Sequence, residues 1–222
     1  MSLDKQHSFW GSLSPLGGLM GAGLLVMASA RLSWAVTIAG SLFWVYGFTS
    51  FTFSLLSSIG AGGTEGKRFF PVQGRTAVYT CIASFWGSIY LFLFWLMSPF
   101  AALEVFMLLL LVPLFCANSG IVEQAVSESS NLEENVSGAV SQAAILTCLL
   151  VLFSIIREPL SYCMLSFPGT YQGMVTIMYF NKNSFFPIGV FATSAGALLL
   201  LGYIVCLYQY TKSYVLPGIG DK

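Results

Sequence analysis

The chain has 222 residues, 56% of them hydrophobic and only 8% charged, and its nine Lys plus Arg balance nine Asp plus Glu beside a single histidine, His7. An ordinary soluble domain carries about 25% charged residues, so a water-soluble globule is excluded, and the lack of any basic field excludes nucleic acid as a partner. Six crossings of roughly 20 residues each would use about 120 residues, which predicts a single integral membrane domain over 1–222 with short tails and connections, its partner being the lipid bilayer.

The N-terminal segment has one Lys beside an Asp and no small-x-small cleavage site. It reads as the lead-in to a first span rather than a removed signal peptide. Stretches without charge run over 6–30, 32–64, 76–103, 105–122, 135–156, 159–181 and 183–211. Of these, 35–57, 77–97, 139–156 and 187–210 read as full helices whose backbone groups are satisfied within the segment, as lipid requires.

The first span, 12–30, opens with Ser14-Pro15 and carries Gly17, Gly18, Gly21 and Gly23, so an interruption is expected in its first half. Its Gly17-x-x-x-Gly21 spacing, like Ala192 and Gly196 near the last span, is compatible with close helix approach. The fourth span, 104–125, begins with Glu104 at a helix N-terminus and is punctuated by Pro113 and Asn118-Ser119-Gly120 before Glu123. Two interrupted helices, one opening each half, predict two three-helix repeats of inverted orientation over about 1–98 and 99–222, with any site where the broken segments meet. Asn118, Ser119 and Glu123 offer oxygen donors there, and capping or turn formation is the competing use of the same groups.

The fifth span closes on Arg157-Glu158-Pro159. Adjacent opposite charges before a proline are either an interfacial stop, with Arg157 snorkelling toward headgroups, or a cation that holds a neighbouring subunit or the carbonyls of a broken helix. Segment 159–181 lacks charge, yet Pro159, Pro168-Gly169 and Gly173 punctuate it, so it reads as an interfacial or short re-entrant connection rather than a seventh crossing. Its aromatics, among them Tyr162, Phe167 and Tyr179, suit the headgroup zone. Lys5, Lys67, Arg68, Arg75, Lys212 and Lys222 fall on one side of a six-span layout and Arg31, Arg157 and Lys182 on the other. The bias puts both termini in the cytoplasm.

Hydrolytic and nucleotide chemistries have no support. His7 lies in the tail, and HExxH, a Rossmann glycine fingerprint and a Walker A loop are absent. Cys81, Cys116, Cys148, Cys163 and Cys206 are dispersed and form no CxxC, so they read as small fillers of membrane helices. No catalytic residue and no metal ligand is assigned.

Leu13-Ser14-Pro15, Pro113 through Ser119, Arg157-Glu158 and Phe186-Pro187-Ile188-Gly189, in that order, resemble pieces of the six-helix membrane subunits of the Rnf and Nqr electron-transport complexes, the RnfA and RnfE type. The resemblance spans nearly the whole chain. It implies an all-α fold of six transmembrane helices in two inverted repeats with the first and fourth helices broken. It also implies an inner-membrane subunit that works beside an oppositely oriented paralogue and beside partners carrying FMN and iron-sulfur clusters. The complex would couple electron transfer between ferredoxin or a quinone and NAD to movement of Na+ or H+. In that family each of the paired subunits supplies two cysteines to an intramembrane iron-sulfur cluster, and here Ser14 and Ser119 stand at those positions. No cofactor is therefore expected in this chain. The alternative on the same scaffold is a non-redox transporter or a structural membrane subunit.

Overall fold

The computed structural model describes residues 15–60, 72–118, 132–169, 174–180 and 188–215. Its helices are α1 (Pro15–Ala28), α2 (Leu32–Gly60), α3 (Val72–Met97), α4 (Pro99–Asn118), α5 (Leu132–Tyr162) and α6 (Ser194–Val215). Between α5 and α6 lie strands β1 (Met164–Pro168) and β2 (Met174–Tyr179), which pair antiparallel, and a 3-10 turn at Gly189–Ala192.

Four helices are long and apolar enough to cross a bilayer, over Leu32–Leu56, Ala77–Met97, Pro99–Cys116 and Val136–Tyr162. They contain the three full helices expected within 32–156 and extend each of them. The chain is thus a multi-pass, largely helical membrane protein. The first and last helices are shorter in apolar length: α1 has 14 residues, about 21 Å at 1.5 Å per residue, and the apolar part of α6 is Ser194–Leu207.

α2 lies at the centre, packed against α3, α4 and α5. Its inward face brings Ile38, Leu42, Val45 and Tyr46 together with Val105, Val112 and Phe115 of α4 and Leu150 and Phe153 of α5. On the α3 side the contact is aromatic. Trp86, Phe48, Trp44, Tyr90 and Phe94 follow one another at ring separations of 4.5 to 6.3 Å. Trp86 Nε1 donates to Thr52 Oγ1 at 2.9 Å and the Tyr90 hydroxyl to the Thr37 carbonyl at 3.0 Å. Such partners are needed because lipid tails are as apolar as the side chains, so hydrophobicity alone does not hold helices together.

Three expectations change. Pro113 does not break the fourth helix, which continues to Asn118. A proline within a helix removes one backbone bond and needs room for its ring, and Gly87 of α3 supplies the room: a Cβ there would come within 2.5 Å of Pro113 Cγ. An interruption at Ser119-Gly120 lies outside the described residues, as do Ser14, Ser119, Glu123 and the Leu13-Ser14 part of the first-helix break. α1 itself is continuous from Pro15.

Second, Glu104 does not open the fourth helix. Ser98 ends α3, its N–H donating to Phe94 O at 2.8 Å, and also begins α4, its carbonyl accepting from Ala102 N at 2.9 Å. Pro99 then takes the first helical position, where its missing N–H costs nothing. Glu104 sits in the second turn and accepts from Trp34 Nε1 at 3.3 Å.

Third, the described parts of the 159–181 connection, 159–169 and 174–180, are regular over most of their length. α5 runs through Pro159 to Tyr162, Cys163 takes a left-handed backbone with φ of 53°, and β1 and β2 follow as a hairpin with a bulge at Leu165/Ser166. The Gly21 spacing does mark close approach, since a Cβ on Gly21 would lie 3.1 Å from the Phe115 ring of α4.

Candidate functional site: a buried charge node at the hairpin end

The end of α1, the start of α2, the α3–α4 corner, the end of α5, the hairpin and the 3-10 turn meet at one end of the bundle. Arg157 and Glu158 lie at their centre, at 1% and 0% exposure. Charged side chains at membrane depth are costly and belong to satisfied or functional sites, so their partners decide what the pair does.

Arg157 has five N–H donors in a rigid plane, and each meets an acceptor. Nε donates to Phe191 O at 2.9 Å. Nη1 donates to Val26 O at 2.5 Å and Ser29 Oγ at 2.9 Å. Nη2 donates to Ala192 O at 3.2 Å and Thr193 O at 3.1 Å. Val26 is in the last turn of α1, where carbonyls lack intrahelical partners and the helix dipole is negative. The other three carbonyls belong to the 3-10 turn and the residue that follows it, immediately before α6. One guanidinium therefore fixes the end of α1 to the beginning of α6.

Glu158 faces the opposite chemistry. Its Oε2 accepts from Leu32 N at 3.0 Å and Ser166 N at 3.1 Å, and its Oε1 accepts from the Ser166 hydroxyl at 2.5 Å. Leu32 is the first residue of α2, so this is one of the orphan amides at a helix N-terminus, where the dipole favours an anion. Ser166 is in β1, and its hydroxyl also lies 3.4 Å from Ser33 Oγ. The carboxylate thus joins α2 to the hairpin, meeting donors alone.

The order Arg-Glu matches the order of helix ends. Across the turn at Ser29–Arg31 the chain presents carbonyls at the end of α1 and then amides at the start of α2, and consecutive residues of α5 meet them with a cation and an anion. Each charge is held by neutral dipoles and hydroxyls among the described residues, with hydrogen bonds of the charge-assisted class. This replaces the interfacial-stop reading of Arg157. The guanidinium does not snorkel to headgroups; it is enclosed and holds helix-end carbonyls, the second of the two uses open from sequence.

Around the node, Arg31 lies 5.5 Å from the Trp34 ring and 5.8 Å from the Tyr162 ring, with Nη1 3.4 Å from Met174 Sδ. Ser98 Oγ donates to Gly169 O at 2.5 Å, tying the end of β1 to the α3–α4 corner. Ile188 N donates to Leu160 O and Phe180 N to Cys163 O, both at 2.9 Å, closing the connection to the 3-10 turn.

No family model and no curated protein matches the chain. The geometry must therefore carry the argument.

The node gathers Arg157 and Glu158 but not the other polar residues singled out in sequence. Asn118 is the last residue of α4, and Glu104 pairs with Trp34 at the rim. Among the described residues no three His, Cys, Asp or Glu side chains converge as a metal site would require. An iron-sulfur cluster of the kind the resemblance implies needs cysteine thiolates. Ser14 and Ser119, where the resemblance would place cysteine ligands, lie outside the described residues, and Cys116 is buried in the core of α4.

Ser29, Ser98 and Ser166 are members of this end that sequence reasoning missed. Serines are common in membrane segments as packing residues, and these three differ in having a charged or carbonyl partner in another element. Ser166 alone carries a local signal, a hydroxyl eight residues after a glutamate and before Pro168-Gly169.

Proposed function

We propose that the chain is a membrane subunit of an Rnf/Nqr-like ion-translocating electron-transport complex, without iron-sulfur ligands of its own. Such a complex exchanges electrons between ferredoxin or a quinone and NAD and couples the exchange to Na+ or H+ movement. The supporting observation is the node. Arg157, in one piece of the resemblance, is hydrogen-bonded to Val26 in the last turn of the first helix and to Phe191, Ala192 and Thr193 just before the last helix, which ties together segments far apart in sequence. In this reading α1 and α6 complete six crossings in two inverted repeats, both termini are cytoplasmic in the inner membrane, and the partners are an oppositely oriented paralogue and subunits carrying FMN and iron-sulfur clusters. Electron transfer then belongs to the partners, and this chain contributes a fixed intramembrane frame.

Ser14 and Ser119 favour a second reading, a non-redox transporter or structural subunit on the same scaffold. Copurification separates the two. In mild detergent the tagged chain should bring down flavin-containing and iron-sulfur subunits; recovery as a homo-oligomer alone contradicts the complex. For topology, single cysteines at Ser129 and Lys182 should react from inside and outside respectively, and reaction from one face contradicts the six-span arrangement.

A further inference from the structure

The β-hairpin has two faces of opposite character. Ser166 is buried on Glu158, and Met174 meets Arg31. Register pairs Ser166 with Thr176 on this inner face, and Leu165 with Met178 and Phe167 with Val175 on the other. Phe167, Val175, Ile177, Met178 and Tyr179 are all exposed, and no charged residue occurs between Glu158 and Lys182. Exposed apolar surface of this kind marks an interaction site.

The depth of the hairpin follows from the corner to which it is tied. Residues 76–103 contain no charge, and the one-residue turn at Ser98 is flanked by Met97, Phe100 and Leu103, at 70%, 60% and 68% exposure. A helix corner so apolar belongs at the edge of the hydrocarbon, not in water. The Ser98 hydrogen bond to Gly169 holds the end of β1 at that level.

We propose that the hairpin is embedded at the boundary of acyl chains and headgroups, with Phe167, Val175 and Met178 in contact with lipid and the inner face closed over the charge node. The boundary, rather than the hydrocarbon core, is the required depth, because the outer edges of a two-stranded sheet carry backbone groups that only water or headgroups satisfy. Tyr162, just before β1, and Tyr179, paired with Met164, both lie at the open end of the hairpin and are of the type that anchors there. The inference does not rest on the electron-transport reading. It makes the hairpin the layer between the bilayer and the charges at Arg157 and Glu158.

The test places single cysteines at Phe167, Val175 and Met178 in the full chain with its native cysteines replaced, spin-labels them, and reconstitutes the protein in phosphatidylcholine and phosphatidylglycerol vesicles. Collision with oxygen should exceed collision with a water-soluble nickel chelate at all three, by a smaller ratio than at the deeper Met107→Cys on the exposed face of α4. A chelate rate above the oxygen rate overturns the proposal, as does exclusion of both reagents, the mark of a covering protein surface. Because Cys116 and Cys163 are buried and their replacement puts folding at risk, the unaltered chain is also irradiated in vesicles containing a diazirine-tagged phospholipid. Labelling within 164–179 is expected, and its absence alongside labelling of α4 overturns the proposal.

Discussion

At the hairpin end, α1, α2, α5 and the turn before α6 are joined by directional bonds to two buried charges, five from Arg157 and three to Glu158. Between α2 and α3 the contact is instead a run of rings, Trp44, Phe48, Trp86, Tyr90 and Phe94, in which Trp44 Nε1 is buried without a hydrogen-bond partner. Both regions hold helices where hydrophobicity does not favour protein over lipid. The comparison teaches where the molecule is fragile: the node fails as a unit when one partner is removed, whereas the aromatic seam distributes its contacts and tolerates the loss of any one.

The largest effect is expected at Arg157. Arg157→Met strands four backbone carbonyls and the Ser29 hydroxyl, and at about 1–3 kcal/mol for each buried group left unsatisfied it should give the largest loss of folded protein, read by reversible unfolding in bicelles. Arg157→Lys should recover little of this, because an ammonium has three donors in place of five and lacks the planar fork.

Gly87→Ala ranks next. Its Cβ would meet the Pro113 ring, an overpacking worth about 1–3 kcal/mol, and Pro113→Ala in the same chain should restore stability. Cys163→Val follows, because a β-branched side chain at φ of 53° should cost about 1–2 kcal/mol, whereas Cys163→Gly should be close to neutral. The smallest effect belongs to the seam. Trp44→Phe removes a donor that has no acceptor and should leave stability within about 0.5 kcal/mol or raise it slightly. A large loss there would erase the contrast between the two regions.

Hydropathy made α2, α3 and α5 legible, because a crossing helix must be apolar along its length whatever it packs against. Pro113 misled because a proline was weighed by its own helix, and the notch that receives it lies on α3 at Gly87. The hairpin was legible only as a punctuated, charge-free connection, since five- and six-residue strands leave too short a period to read. Arg157 and Glu158 stood out as the one adjacent opposite-charge pair at the end of a span. Their partners did not, because Val26 is 131 residues upstream and Phe191 is 34 downstream, and backbone carbonyls leave no mark in a sequence. Asn118 shows the opposite limit: a polar residue can be conspicuous in the text and yet lie at a helix end away from the node.

The central claim is that Glu158 holds the first amide of α2 and the amide of Ser166 in β1. Amide hydrogen exchange of the full chain in nanodiscs, followed residue by residue by NMR, measures it directly. The Leu32 and Ser166 amides should exchange slowly in the unaltered protein, accelerate together in Glu158→Ala, and remain slow in Trp44→Phe. Fast exchange at both positions in the unaltered chain, or protection that survives Glu158→Ala in a folded protein, would contradict the node.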